Sequence, residues 1–112
     1  MRTAYCPKTH TELANICVSH GHIPGHQYHD VAVVISSRGD KFRCHVVESW
    51  GNDQGYDQEN GRKEIIGRGD SIREAVVEAR NFGTEANIDS NYLAQALSLA
   101  EDAAEEAMAD AE

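Results

Sequence analysis

The chain has 112 residues, 40% of them apolar, which suits one domain with a modest core and excludes a disordered polymer. A net charge of −9 argues against binding nucleic acid through a broad basic surface, and no apolar run approaches the ~18 residues of a membrane span. Three cysteines behind a start, "MRTAYCPKTHTEL", that lacks an apolar h-region predict reduced thiols and a cytoplasmic protein.

"RTAYC" suits a short opening strand that Pro7 breaks. "THTELANICVSHG" then reads as a helix. Thr9 and Glu12 have capping-box spacing, Leu13, Ile16, Cys17 and His20 share one face, and Gly21 suits its end. "HIPGHQYHD" reads as a loop. "VAVVISS" is a continuous apolar run that suits a buried strand, and "SRGD" a turn. In "KFRCHVVESW", Phe42, Cys44, Val46 and Trp50 alternate onto one side, so the two runs form a β-hairpin.

"GNDQGYDQENG", residues 51–61, is polar and long for a hairpin connection, and "RKEIIG" follows as a third strand. The strongest helix signal is "GDSIREAVVEARNFG". Ser71 and Glu74 form a capping box, Ile72, Ala75, Val76 and Ala79 a stripe, and Gly83 the stop. Asp89 or Ser90 caps a last helix from about Asn91, in which Tyr92, Leu93, Ala96, Leu97, Ala100 and Ala104 recur at helical spacing. The whole predicts a single α+β domain over residues 1–112, an antiparallel sheet of three to four strands with helices packed on one face and an acidic C-terminal helix.

The acidity has an address. Residues 1–80 carry ten bases against eleven acids, whereas residues 81–112 carry eight acids and no base. Glu101, Asp102, Glu105, Glu106 and Asp110 stack like charges at i, i+4 and oppose the dipole at the helix end, which predicts fraying of its last turns. Solvation accounts for such a run. The functional alternative is a column of carboxylates that fits a Lys/Arg groove built for a nucleic-acid backbone, aided by Asp53, Asp57 and Glu59 of the 51–61 segment.

Cys6, His10, Cys17 and His20 supply two thiolates and two imidazoles, a sufficient set for tetrahedral zinc, although without a C-x2-C knuckle. A small core cysteine with histidines around a loop is the plainer reading. The acids of the 51–61 segment lack EF-hand spacing, and both "RGD" tripeptides sit where a turn or a helix cap is needed. Neither a G-x-S-x-G elbow nor a P-loop is present, and Cys44 and His45, adjacent in a strand, point to opposite faces. These patterns predict a non-enzymatic protein without a cofactor.

A short, acidic, α+β chain without a catalytic motif resembles, in general character, the small phage anti-CRISPR proteins. That resemblance implies an inhibitor acting in the bacterial host cytosol, binding a basic nucleic-acid-handling complex such as a CRISPR effector or its nuclease. The stretch from Val31 to Asn81, with "GRGDSIREAVVEAR", is similar to the sheet-plus-helix module of HicB-like antitoxins, which implies instead a partner that caps a small basic toxin. A zinc-stabilised interaction module is the remaining alternative.

Overall fold

The computed structural model describes residues 4–20, 26–53 and 57–110. Four strands, β1 (Thr11–His20), β2 (His26–Arg38), β3 (Lys41–Asp53) and β4 (Asp57–Gly69), precede two helices, α1 (Ile72–Glu85) and α2 (Ser90–Asp110). The strands form an antiparallel meander in the order β1-β2-β3-β4, and both helices lie on one of its faces. The chain is therefore α+β, with the acidic helix at its C-terminal end. Among the described residues, no helix is long and apolar enough to cross a membrane.

The face under the helices is set by the period-two side-chain alternation of the strands. Cross-strand register aligns Ala14, Ile35 and Cys44 in one row, and Ile16, Val33, Val46 and Ile65 in the next. Onto these rows α1 sets Ile72, Ala75, Val76 and Ala79, and α2 sets Leu93, Ala96, Leu97, Ala100 and Ala104. The small alanines let the helices approach closely. A Cβ at Gly67 would lie 2.3 Å from the Ala75 carbonyl oxygen, so α1 rests directly on the β4 backbone.

Residues 11–20 form an edge strand rather than the helix their spacing suggests. Ala14, Ile16 and Val18 alternate with Asn15, Cys17 and Ser19, and the β-branched pair favours the pleated edge that β2 offers. The capping-box spacing is coincidental, because the Thr9 hydroxyl bonds its neighbour's His10 Nδ1 at 3.1 Å instead of a backbone amide. Of the expected opening strand, residues 2 and 3 lie outside the described residues, and residues 4–10 form no strand. They include a Pro7–His10 turn and bury Ala4 on the face opposite the helices. Residues 26–30 belong to β2, while residues 22–25 of the expected loop, and Gly21 before them, lie outside the described residues. Most of the polar 51–61 segment is strand as well, since pairing of β3 with β4 continues to Asp53↔Asp57.

Both helices begin on local chemistry. Ser71 Oγ accepts from Glu74 N at 3.1 Å, and Glu74 Oε2 accepts from Asp70 N at 2.8 Å. Asp89 Oδ1 accepts from the amides of Asn91 and Tyr92, both at 3.0 Å, and so caps α2. Gly83 does not stop α1. It lies inside the helix against Leu93, and the stop is Asn87 at φ 59°, in a Schellman turn closed by Asn87 N→Thr84 O and Ile88 N→Gly83 O.

Candidate functional site

The buried residues of α2 occupy one side of the helix, and at 100° per residue Asp102, Glu105 and Glu106 fall on the opposite side. These three and Asp110 are exposed and form no ion pair with any described residue. Glu101 differs. It is mostly buried and accepts from Arg73 Nη1 of α1 at 2.9 Å through Oε1 and at 3.2 Å through Oε2. The packed face continues through Ala104 and Met108, and at ~1.5 Å per residue the exposed carboxylates from Asp102 to Asp110 span about 12 Å of the helix.

The two proposed groups of acids are not brought together. Glu101 meets Arg73 near the start of α1, beyond the sheet end where Phe42 pairs with Gly69. Asp53, Asp57 and Glu59 lie at the other end of the same strands, about 35 Å away at ~3.3 Å per residue. A single continuous acidic column is therefore not formed, and the α2 face stands alone.

The proposed zinc ligands lose the helix on which their convergence depends. Cys17 is exposed on strand β1, its Sγ 3.3 Å from Ser19 Oγ, and Cys6 sends its thiol to the carbonyl oxygens of Pro7 and His10. In a strand, positions 17 and 20 no longer share a face as they do on a helix. Among the described residues, no three His, Cys, Asp or Glu side chains gather as a metal site requires.

Away from the helices, the sheet carries chemistry that alternation hides. Cys44 belongs to the core, where burial, reinforced by Glu101, pushes its thiol up to about 12. His45, on the opposite face, is fully buried beneath residues 4–10. Tyr5 N–H donates to its Nδ1 at 3.2 Å, so Nε2–H donates to Glu64 Oε1 at 2.6 Å, a neutral imidazole bonded at both nitrogens. Burial is the main cause holding His45 below its ordinary range. Glu64 acts against that shift, and the Arg43 guanidinium adds to it. Tyr5 packs its ring edge-on to His45 at 4.6 Å and lies under Arg43 at 5.1 Å.

At the end of this face nearest the β2–β3 turn, a cavity of about 540 Å³ opens among Arg38, Lys41, Phe42, Arg43 and Arg68. At the other end, on the helix face, Glu48 is nearly buried. It accepts from Asp89 N at 3.0 Å, and its Oε2 lies 2.8 Å from His29 Nε2, pinning the α1–α2 connection to the sheet. Sequence reasoning found neither group. The available signal was the reverse parity of β3, where Arg43, His45 and Ser49 interrupt an apolar run. Compared with protein-family models, curated proteins and solved structures, the chain matches none.

Proposed function

We propose that the chain is a non-enzymatic binding protein that inhibits a basic, nucleic-acid-handling complex by presenting α2 as a stand-in for a nucleic-acid backbone. One observation carries this reading: Asp102, Glu105, Glu106 and Asp110 are exposed and without an ion pair to any described residue, on a helix whose other side is locked to the sheet. Carboxylates four residues apart repel one another at a cost of a few tenths of a kcal/mol per pair. A groove rich in Lys and Arg would relieve that repulsion, speed association and make binding salt-sensitive. A phage-encoded inhibitor of a CRISPR effector or its nuclease, acting in the host cytosol, fits this chemistry.

The test joins capture to inhibition. The tagged protein is used at low and high salt to retain partners from bacterial lysate, and the purified partner's nucleic-acid binding is then assayed with and without the chain. Reversal of Asp102, Glu105 and Glu106 to Lys is expected to weaken binding at least tenfold and to remove most of its salt dependence. Glu101 is left intact because Arg73 holds it. Equal affinity of the reversed and original proteins would sink the proposal, as would a partner whose nucleic-acid binding is untouched.

A further inference from the structure

We propose that the cavity beside the β2–β3 turn is an oxyanion site that seats the phosphoryl group of a small phosphate ester on Arg43. Arg43 is only 8% exposed, and its buried Nη1 has no hydrogen-bond partner among the described residues. A guanidinium carries five N–H donors, and leaving one of them buried and unmet is costly. The aromatic ring of Tyr5 beneath it stabilises the charge but accepts no such bond. Half of an ion pair is in place, and the anion is the half not supplied by the described residues.

The surroundings extend the same pattern. Register sets Arg43 directly opposite Arg68 on β4, and like charges facing each other across a ladder are unfavourable unless an anion lies between them. On its other side Arg43 faces Ser36 of β2, whose buried Oγ also has no partner among the described residues. Arg38 and Arg68 are exposed at the cavity and have no ion pair with any described residue. Four bases (Arg38, Lys41, Arg43, Arg68) line it against one carboxylate, Asp70, which Lys41 already holds. In a chain of net charge −9, four of the ten Lys and Arg line this one concavity.

Three guanidinium groups lining one cavity suit a tetrahedral dianion, which accepts more N–H bonds than a carboxylate. A volume of about 540 Å³ exceeds what a lone phosphate fills and leaves room for the rest of an ester. The inference rests on no part of the α2 reading. Its residues lie on β2, β3 and β4.

Calorimetric titration of the purified chain at fixed ionic strength decides it, with inorganic phosphate, adenosine monophosphate and acetate as probes. Saturable binding of both phosphates is expected, with acetate at least tenfold weaker. Tighter binding of the nucleotide assigns an ester as the ligand, and equal binding assigns free phosphate to the same seat. Arg43→Met should abolish binding. Because Arg43 is buried, the double variant Arg38→Ala/Arg68→Ala, at exposed positions, serves as the second test and should weaken binding at least tenfold. Arg80→Ala, exposed on α1, should leave it unchanged. No saturable binding of either phosphate, acetate binding equal to phosphate, or undiminished binding by the double variant would each overturn the proposal.

Discussion

The two faces of the sheet have been put to different uses. Under the helices, Val31, Val33, Ile35, Cys44 and Val46 meet side chains that are almost all apolar. On the other face, a smaller apolar patch of Ala32, Val34 and Val47 is flanked by buried Asp30, Ser36, Arg43, His45 and Ser49. Burial of apolar area drives folding at about 25 cal/mol per Å², so stability is concentrated on the first face. Buried polar groups contribute little net and cost much when unmet, so the second face keeps them at some expense. A polar residue tolerated there is a better lead to function than any in the core.

The sharpest test of this contrast lies in two adjacent residues of β4. Gly67 faces α1, and a Cβ there would fall 2.3 Å from Ala75 O and 2.4 Å from Ala79 N. Gly67→Val must therefore lift α1 from the sheet, and a loss of about 3 kcal/mol or more is expected. Arg68 points the other way and is exposed, so Arg68→Ala should change stability by no more than about 0.5 kcal/mol. Urea unfolding of the two variants measures both. Similar losses would mean that the faces do not divide the work as described.

The same division explains what the sequence made legible. Helix α1 could be read because its signals are local: Ser71 and Glu74 bond amides within four residues of themselves, and the apolar stripe needs only helical spacing. The turn at 38–41 and the apolar side of β3 were legible for the same reason. Strand β1 was not, since its short apolar alternation becomes decisive only once β2 provides an edge, and the strand takes the proposed zinc set apart with it. The loop expected around Asp53, Asp57 and Glu59 is mostly strand because cross-strand pairing, a long-range effect, prolongs β3 and β4 through a stretch of turn-forming composition. Arg38, Arg43 and Arg68 show no mutual spacing in the sequence. Their meeting depends on a tight turn and the β3–β4 register.

A smaller and pH-dependent effect should come from His45, the most deeply buried polar group of the second face. Its folded-state pKa lies below the ordinary value of 6.5, with burial as the main cause. The unfolded chain therefore takes up the proton first as pH falls. The stabilisation is complete above pH 6.5 and is lost as pH drops below it. Protonation at Nδ1 would also remove the acceptor of the Tyr5 amide, loosening residues 4–10 from the sheet. Thermal midpoints at pH 7.5 and 5.5 should fall more steeply for the original protein than for His45→Gln, which removes this titration while the other histidines remain. Parallel pH dependence in the two proteins would refute the assignment.

The smallest expected effect belongs to the ion pair between the helices. Arg73 is 64% exposed on its side chain while Glu101 is 17% exposed, so solvent screens one end of the contact and the Arg gives up rotamer freedom to make it. Arg73→Ala should therefore cost no more than about 1 kcal/mol at low salt, and less at high salt. Its consequence for the acidic face is larger than its consequence for stability. Freed from Arg73, Glu101 joins Asp102, Glu105, Glu106 and Asp110 as a carboxylate with no ion pair among the described residues, raising the charge that α2 presents. If α2 binds a basic groove, Arg73→Ala should associate faster at low salt despite its slightly lower stability, and the gain should vanish at high salt. A variant that is less stable and also slower to associate would show that Arg73 supports the binding face rather than drawing charge away from it.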